Sequence, residues 1–193
     1  MLAPVQVLAD EDSTGVDEKN NTNVNIEMQG GDLTFDLEKN EGEKSFEAIE
    51  LEELVGNENG LKKELSPFKK LTIKDARGTK EGYHMTVKAD QFEGKNKKNK
   101  LDTGVLSIVE PDKEDRTANL GGSDSEVKVM ETKGKIIDGG SQKIIEATKG
   151  HGAGINTFNF KEKHLIFNLK QQDVIADTYS TTVIFTISGQ PDA

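Results

Sequence analysis

Cysteine and tryptophan are both absent from this 193-residue sequence. Without cysteine the chain cannot form a disulfide scaffold or a thiolate metal site. The redox compartment stays open, because many exported bacterial proteins also lack cysteine. Aromatic residues are few, with two tyrosines and eight phenylalanines. No apolar run approaches the roughly 18 residues with which a helix crosses a bilayer, so these residues contain no candidate membrane-spanning helix.

The charge balance is acidic. The chain has 35 aspartate and glutamate residues against 25 lysine and arginine residues, and a formal net charge of −10. A general nucleic-acid binder needs a basic surface against phosphate, so that class of protein is disfavoured. The length allows one sizeable core, or a domain with a tail.

The first 23 residues divide into two segments. Residues 1–9 (MLAPVQVLA) are apolar, and Val7-Leu8-Ala9 fits the small-residue rule for signal-peptidase cleavage. We interpret them as a signal-peptide remnant, with a frayed apolar arm as the alternative. Residues 10–23 are acidic, polar and free of aromatic residues, which predicts a disordered segment.

From residue 24 onward, apolar and polar residues alternate in short runs that glycine- and charge-rich turns separate. A period of two indicates strands, and no segment shows a sustained helical stripe. Residues 52–66 are mixed and predict a loop or one short helical turn. The whole pattern predicts an all-β fold, with a single β-sandwich-like domain and long loops over residues 24–193. The strand-like runs are residues 24–28, 33–37, 46–51, 71–73, 83–89, 105–109, 127–130, 135–137, 143–147, 155–160, 164–169 and 179–187.

The last strand-like run carries the first recognisable motif. Residues 179–187 (YSTTVIFTI) place Tyr179, Phe185 and Ile187 on one face, and Pro191 follows after the strand has ended. This run resembles the closing signature of the WxL domain, a cell-surface module of low-GC Gram-positive bacteria. In that family a Tyr, a Trp-x-Leu triplet and a Pro stand at this spacing.

An upstream block resembles the first motif block of the same family. There a strand leads into Asp-x-Arg-Gly, then Gly-Trp-x-Leu-x-Val, and then a Phe. Residues 101–106 and 152–160 resemble two weaker family blocks, so the resemblance covers about residues 30–191 in the right order. In residues 71–92 (LTIKDARGTKEGYHMTVKADQF) the matching positions are Asp75, Arg77, Gly78, Gly82, Val87 and Phe92.

Both Trp-x-Leu triplets are altered in this chain. The first is Tyr83-His84-Met85 and the second is Phe185-Thr186-Ile187. Each triplet keeps an aromatic residue first and a large aliphatic residue third, so the chain is identified as a divergent member. A bond from an indole N–H to wall or partner is absent, since Phe185 cannot donate and Tyr83 donates from a different point.

The resemblance implies a secreted, non-catalytic surface module of a Gram-positive bacterium. Such a module attaches non-covalently to peptidoglycan or another cell-wall polymer, and to WxL-type or membrane-anchored partner proteins. The candidate binding residues that the motif positions supply are Tyr83, His84, Met85, Tyr179, Phe185, Thr186 and Ile187, with a turn motif at Asp75, Arg77, Gly78 and Gly82.

Strand geometry qualifies these candidates. An aromatic-x-aliphatic triplet puts both large side chains on one face, which in a sandwich is usually the core. We therefore predict that Met85 and Ile187 are core residues. Tyr83 and Phe185 keep two interpretations, as core residues or as exposed aromatics of a binding surface.

The turn at residues 75–78 also has two interpretations. It could be a binding turn, but we favour a structural role, in which Asp75 caps the turn and Arg77 pins it by a salt bridge. Residues 95–100 (KNKKNK) form a basic patch that could meet the phosphates of anionic wall polymers such as teichoic acids. A solvated loop is the favoured interpretation of that patch.

No motif predicts catalysis, a metal or a cofactor. The histidines at 84, 151 and 164 are scattered, and residues 10–21 match a calcium loop only in part. The glycine-rich residues 150–154 lack the Lys-Ser/Thr of a phosphate loop, which predicts a flexible turn. The sequence has no nucleophile elbow and no His-Glu-x-x-His.

Three functions compete. The first is the wall-attached module. The second is a structural subunit of a surface complex, which binds a partner protein or self-assembles without wall affinity of its own. The third, an exported carbohydrate-active sandwich, needs paired carboxylates and stacking aromatics, and the chain offers few such aromatics.

Overall fold

A computed structural model describes residues 26–38, 45–119, 127–129, 140–170 and 174–189. Within these residues the chain forms fourteen strands and one short α-helix, with two 3₁₀ turns. All strand pairs are antiparallel. The predicted all-β class is therefore confirmed. The segments predicted over residues 1–9 and 10–23, and the run 135–137, lie outside the described residues. The assignment of 24–193 to one domain stays a prediction.

The elements follow one another in short steps. The helix α1 spans Leu51–Val55, and the 3₁₀ turns span Lys113–Asp115 and Glu162–His164. The strands are β1 Leu33–Glu38, β2 Leu61–Leu65, β3 Lys70–Asp75, β4 Tyr83–Ala89, β5 Phe92–Gly94, β6 Lys100–Leu101, β7 Gly104–Ile108, β8 Arg116–Asn119, β9 Val127–Val129, β10 Gln142–Ala147, β11 Gly154–Asn159, β12 Leu165–Leu169, β13 Tyr179–Ser180 and β14 Val183–Ser188.

These strands form four sheets. One four-stranded sheet has the order β1-β3-β11-β8, and the other has the order β14-β4-β10-β9. We call the second one the motif sheet, because β4 and β14 carry the two altered triplets. Two three-stranded sheets, β2-β12-β7 and β13-β5-β6, complete the described fold. Strands distant in sequence are thus neighbours in every sheet, so the fold depends on long-range pairing.

Alternating burial shows why β4 is a strand. Tyr83, Met85 and Val87 are each 0% exposed, whereas Lys88 on the opposite face is exposed. Successive side chains of a strand point to opposite faces, so this sequence can bury one face only as a strand. Burying each large apolar side chain contributes about 1.5–3 kcal/mol.

Phenylalanine rings connect the sheets inside the core. Phe68 contacts the rings of both Phe160 and Phe185, at centroid distances of 4.5 and 5.4 Å. Phe167 contacts the rings of Phe46 and Phe92, at 5.5 and 5.2 Å. Edge-to-face and tilted ring pairs of this kind add about 0.5–1.5 kcal/mol each beyond area burial. These contacts join the loop residues Phe46 and Phe68 to strands β12 and β14, which belong to different sheets.

Two predicted strands are wrong. Ile26 and Met28 alternate correctly but lie outside any strand, and they are 85% and 88% exposed. Residues 46–50 form no strand either, and α1 begins at Leu51. Alternation marks a possible face, but a strand also needs a neighbouring ladder to satisfy its backbone groups. For residues 26–28 and 46–50 no such ladder exists among the described residues.

The sequence pattern missed four strands: β5 and β6, which span only three and two residues, and the longer β2 and β8. β2 (LKKEL) is rich in lysine and was assigned to a loop or helical turn, yet it pairs with β12 along its whole length. β8 carries few apolar residues and pairs with β11. Both strands lie at the edge of their sheet, where one neighbour and a half-solvated face tolerate polar residues. The short helical turn expected within 52–66 is confirmed by α1, shifted by one residue.

Candidate functional site

The two altered triplets lie side by side. Strand β14 pairs with β4 in antiparallel register, so that Ile187 stands opposite Met85 and Phe185 stands opposite Val87. Thr186 stands opposite Thr86. Neither motif block by itself indicates this neighbour, because a long stretch of chain separates them. The structure brings them into one continuous surface.

The large side chains of both triplets point inward. Tyr83 and Met85 are fully buried, while Phe185 and Ile187 are partly buried and pack against the core. The prediction that Met85 is a core residue is confirmed, and Ile187 packs against the same core. Of the two interpretations of Tyr83, burial favours the core. Phe185 places its ring edge-to-face on Phe68, at an interplanar angle of 82°.

Tyr83 is enclosed by the glycine-rich segment. A Cβ atom at Gly152 would lie 2.6 Å from Cε1 of Tyr83 and 2.5 Å from Cβ of Ala147. Gly152 also has a φ of +81°, and its carbonyl accepts a hydrogen bond of 2.9 Å from the buried amide of Asn156. The glycine is therefore required by the close approach of backbone to ring. Within residues 150–154, Gly152 thus lies directly against the ring of Tyr83, and the flexibility expected of this turn stays a prediction.

The turn after β3 is held by an ion pair. Nε and Nη2 of Arg77 donate to Oδ1 and Oδ2 of Asp75, at 2.9 and 2.8 Å. The backbone N–H of Arg77 also donates to Oδ1 of Asp75, at 3.1 Å. The predicted salt bridge is confirmed in this bidentate geometry, which is the strong form of the arginine–carboxylate pair. Gly78 follows with a φ of +75° and nothing close to its Cβ position, so it serves the turn itself.

The same guanidinium group reaches both motif blocks. Nη2 of Arg77 donates to the carbonyl of Gly82, directly before β4, and Nη1 donates to the carbonyl of Gly189, directly after β14, both at 2.7 Å. A Cβ atom at Gly189 would collide with Nη1 of Arg77, and one at Gly82 would collide with the carbonyl of Ala147. Arg77 is therefore a clamp across three chain segments. We call Asp75, Arg77, Gly82 and Gly189 the arginine clamp.

The electrostatics of the clamp follow from this geometry. The side chain of Asp75 is 4% exposed and that of Arg77 is 16% exposed. Hydrogen bonds from the guanidinium group lower the pKa of Asp75 below its ordinary value and raise that of Arg77, and they outweigh the opposing effect of burial. Both groups are therefore charged in the folded protein. The carboxylate of Asp75 is thus engaged on both oxygens by the guanidinium group of Arg77.

The outward face of the motif sheet is polar. On β4 it carries His84, Thr86 and Lys88, and on β14 it carries Ile184 and Thr186. The middle residue of each triplet, His84 or Thr186, thus points away from the core. We call these five residues the outward face. Strand β10 continues it with an ion pair of 2.7 Å between Lys143 and Glu146.

The remaining candidates lie on another sheet. Tyr179 is partly buried on β13, and its hydroxyl donates to the carbonyl of Ile175, at 2.8 Å. The lysine-rich residues 95–100 cover the turn between β5 and β6, in the same sheet as β13. No group of three or more histidines, aspartates or glutamates within the described ranges is arranged to hold a metal ion. The partial calcium loop falls outside them.

Comparison with known proteins decides the family. The model of the protein family described as "WxL domain surface cell wall-binding" matches residues 4–191, nearly the whole chain. The chain belongs to the WxL family. It is a cell-wall-binding module of the cell surface. None of the curated proteins and none of the solved structures matches it. No helix among the described residues has the length and apolarity to cross a membrane.

The WxL match identifies the two structural blocks described above as the two motif blocks of the family. In this member the arginine clamp joins the two WxL blocks, and the positions equivalent to tryptophan are turned into or against the core. The contacts of Phe68 with Phe185, and of Gly152 with Tyr83, escaped the sequence pattern. Glycine-rich spacing was the one available signal for Gly152. Whether the seven motif positions bind a ligand stays a prediction.

Proposed function

We propose that this WxL module is a secreted, non-catalytic protein that attaches non-covalently to the peptidoglycan of a Gram-positive wall through the outward face of its motif sheet. In this proposal the aromatic and aliphatic residues of the triplets build the two strands. The middle residues and their neighbours meet the ligand. The family description supports wall binding, and the arrangement of the strands supports the location.

One observation carries the location. The inward faces of β4 and β14 are filled by Tyr83, Met85 and Phe185, so these side chains are committed to packing. The outward face brings Thr86 and Thr186 directly opposite each other. Since side chains on a strand alternate strictly, the outer residues and the middle residue of each triplet serve opposite sides of the sheet. Large residues serve the core, and the residue between them serves the surface.

The chemistry of the outward face suits an amino-sugar and peptide polymer. Peptidoglycan offers hydroxyl, amide and carboxylate groups. Threonine hydroxyls donate and accept hydrogen bonds, and the ammonium group of Lys88 can pair with a carboxylate. The two paired strands present these residues in adjacent rows, so an extended strand of polymer can lie along them. None of these contacts requires a reacting group.

The test is a pull-down onto purified peptidoglycan sacculi with Thr186→Glu. The new carboxylate would repel the carboxylates of the wall, and it would remove a hydroxyl from the middle of the proposed surface. We expect binding to fall at least tenfold. The matched control is Thr34→Glu, because Thr34 is also an exposed threonine within an edge strand, β1, of the other four-stranded sheet. We expect the control to sediment like the wild type.

Two outcomes would contradict this proposal. Equal sedimentation of both variants would show that the outward face does not contact the wall. A wild-type protein that stays in the supernatant would show that this member has no affinity for peptidoglycan by itself. Melting temperatures of both variants must match that of the wild type, since both substitutions lie on exposed positions.

A second candidate function, the structural subunit, is favoured by the edge of the motif sheet. The N–H of Asp90 donates to the carbonyl of Thr182, at 3.0 Å. In an antiparallel ladder the bonded positions alternate, so Val183, Phe185 and Ile187 direct their backbone groups away from β4. Among the described residues no strand pairs with that side of β14. A strand of a partner surface protein, or of a second copy, can add there.

Mass measurement in solution separates this candidate from wall attachment. If β14 recruits a strand, the protein forms dimers or larger species as its concentration rises, or it captures the partner protein. Ile184→Glu should then weaken assembly, because a charge on an edge strand opposes pairing. The new carboxylate faces Lys88 across the ladder, so the fold itself should be unaffected. A monomer at all concentrations, with no partner capture, contradicts this candidate.

A further inference from the structure

The turn between β5 and β6 is an ordered structure. The N–H of Gly94 donates to the carbonyl of Asn99, and the N–H of Lys97 donates to the carbonyl of Gly94, both at 2.8 Å. The N–H of Lys98 donates to Oδ1 of Asn96, at 2.9 Å. Each hydrogen bond fixes backbone within a six-residue segment. A turn with this many internal bonds presents its side chains from defined positions.

The carboxylate of Asp177, shortly before β13, is hydrogen-bonded to this turn. Asp177 accepts hydrogen bonds from the amide side chain of Asn99, at 2.9 Å, and from the backbone N–H groups of Lys95 and Thr178, at 3.4 and 2.8 Å. The side-chain bond from Asn99 is the main reason that the pKa of Asp177 lies below its ordinary value. The carboxylate is thus engaged by amide groups of the turn. It makes no salt bridge with the lysine ammonium groups.

The lysines at the tip are left without ion pairs. Lys95, Lys97 and Lys98 are exposed, and none of them forms an ion pair with a described residue. Elsewhere in the described chain several lysines do pair with carboxylates, as Lys163 does with Asp112. Lys100 stands opposite Glu93 in the ladder, so its charge is partly balanced. We call Lys95, Lys97 and Lys98 the lysine tip.

Backbone conformation adds a second, independent feature. Lys97 has a φ of +59°, in the left-handed region that favours glycine or asparagine. Glycine would adopt this conformation without steric strain, so the lysine side chain stands here at a conformational cost. Strained positions of this kind concentrate at functional surfaces. The lysine at this position places one more ammonium group at the tip, between those of its neighbours.

Net charge narrows the class of ligand. The chain as a whole carries a charge of −10, so its net charge repels a polyanion. A rigid, broad polyanion such as duplex DNA would meet this repulsion along its length. A flexible linear chain can touch the lysine tip alone. Ammonium groups on flexible stems bind phosphate as point charges, and phosphodiesters stay ionised at all ordinary pH values.

We infer that the lysine tip is a second wall-contact site, which binds a flexible, linear phosphodiester polymer of the poly(glycerol phosphate) type. This inference rests on the proposed function only in placing the protein at the wall. The tip belongs to the β5–β6 hairpin, which directly follows β4 along the chain, and β13, which pairs with β5, leads into β14. The two contacts are therefore made by adjoining parts of one structure.

The direct test measures binding of soluble poly(glycerol phosphate) by titration calorimetry at several salt concentrations. The triple variant Lys95→Gln, Lys97→Gln, Lys98→Gln should lose at least tenfold in affinity. Its plot of log affinity against log salt should flatten by about 2, since each lost phosphate contact removes about 0.7 from the slope for a single flexible chain. The matched control neutralises three exposed lysines elsewhere that make no ion pair, Lys74, Lys113 and Lys149.

Three results would overturn the inference. One is wild-type affinity in the triple variant. Another is an equal loss in the control, because binding would then follow net charge and not the tip. The third is equally tight binding of duplex DNA by the wild type, which would contradict selection of a flexible chain. Circular dichroism checks that each variant is folded, and the exposure of all six lysines predicts unchanged melting.

A pull-down separates this inference from the proposed function. Sacculi are prepared with their phosphodiester polymers retained, or stripped of them with hydrofluoric acid. The wild type should bind retained sacculi several-fold more tightly than stripped ones, and the triple variant should bind both equally. Failure of the wild type to bind stripped sacculi contradicts peptidoglycan attachment but does not contradict phosphodiester binding by the lysine tip. Equal binding of both preparations by the wild type contradicts the inference about the lysine tip but leaves peptidoglycan attachment standing.

Discussion

Met85 on β4 stands directly opposite Ile187 on β14, and both face the core. They are the third residues of the two triplets, so the equivalent ends of the two family motifs meet in one cross-strand pair. Opposed side chains on one face of an antiparallel pair are the unit of sheet stabilisation. The two motifs are therefore one structural unit in this protein, joined a second time by the arginine clamp.

Truncating this pair tests its structural role. Met85 is 0% exposed, so Met85→Ala should lower the free energy of unfolding by about 2–5 kcal/mol. Ile187→Ala should cost less, because Ile187 is only partly buried on an edge strand. Urea unfolding of both single variants and the double variant gives the coupling, which we expect at about 0.2–1 kcal/mol. Equal small losses in both single variants would contradict the packing described for β4.

Restoring the family aromatic at Tyr83 should not restore a binding site. Tyr83 is fully buried, and its ring is covered by Gly152. Tyr83→Trp therefore overfills a close-packed site, and it should destabilise the protein by about 1–3 kcal/mol with no gain in sedimentation with sacculi. Phe185→Trp is the matched substitution on the edge strand, where a partly exposed ring has room, and we expect less than about 1 kcal/mol. Tighter wall binding by Tyr83→Trp at unchanged stability would refute this view.

Arg77→Lys keeps the positive charge of the clamp but removes the planar guanidinium group that bonds several acceptors at once. A lysine cannot bond both oxygens of Asp75 and also reach the carbonyls of Gly82 and Gly189. We expect a loss of about 2–4 kcal/mol in urea unfolding, because hydrogen bonds to charged groups contribute about 1.5–3 kcal/mol each.

Hydrogen exchange locates the effect of that substitution. Amides at the start of β4 and the end of β14 should exchange faster in Arg77→Lys. The matched control is Arg116→Lys, since Arg116 also donates to a backbone carbonyl, that of Pro111. The control should leave β14 protected. Faster exchange of β14 in both variants would mean that the clamp has no specific part in joining the motif blocks.

Acid should weaken the fold through His164. This side chain is buried, and its Nδ1 accepts a hydrogen bond of 2.8 Å from the N–H of Lys161. Burial is the main reason that its pKa lies below the ordinary 6.5. The folded protein thus holds this proton less tightly than the unfolded chain does. The contribution of the neutral group is complete above about pH 6.5 and is lost as the pH falls toward the lower pKa of the folded state.

Denaturant titrations between pH 7.5 and 5 measure this loss. One group contributes a slope of at most about 1.4 kcal/mol per pH unit. Asp75 acts in a separate pH range. Its pKa is lowered in the folded protein, so its charged carboxylate stabilises the fold, and this stabilisation is lost only as the pH falls below about the ordinary 3.8. In His164→Asn the amide oxygen can replace the Nδ1 acceptor without titrating, so the slope should diminish. An unchanged slope in that variant would assign the acid sensitivity to other groups.

Much of the fold was readable from local pattern. The period of two in β4 and β14 predicted strands and the burial of Met85, and Asp75-x-Arg77-Gly78 predicted a pinned turn. These features depend on neighbours within a few residues, where strand alternation and turn chemistry act directly. The same reasoning failed for Ile26 and Met28, since their alternation has no partner ladder among the described residues.

The sequence by itself thus determined the all-β class, the two motif blocks and the family to which they belong. Tertiary structure alone decided that the blocks are neighbours, that Tyr83 is covered by Gly152, and that one guanidinium group reaches Gly82 and Gly189 together. Such relationships join residues far apart in the chain. They depend on strand order and register, which many long-range contacts set jointly and which no local pattern encodes.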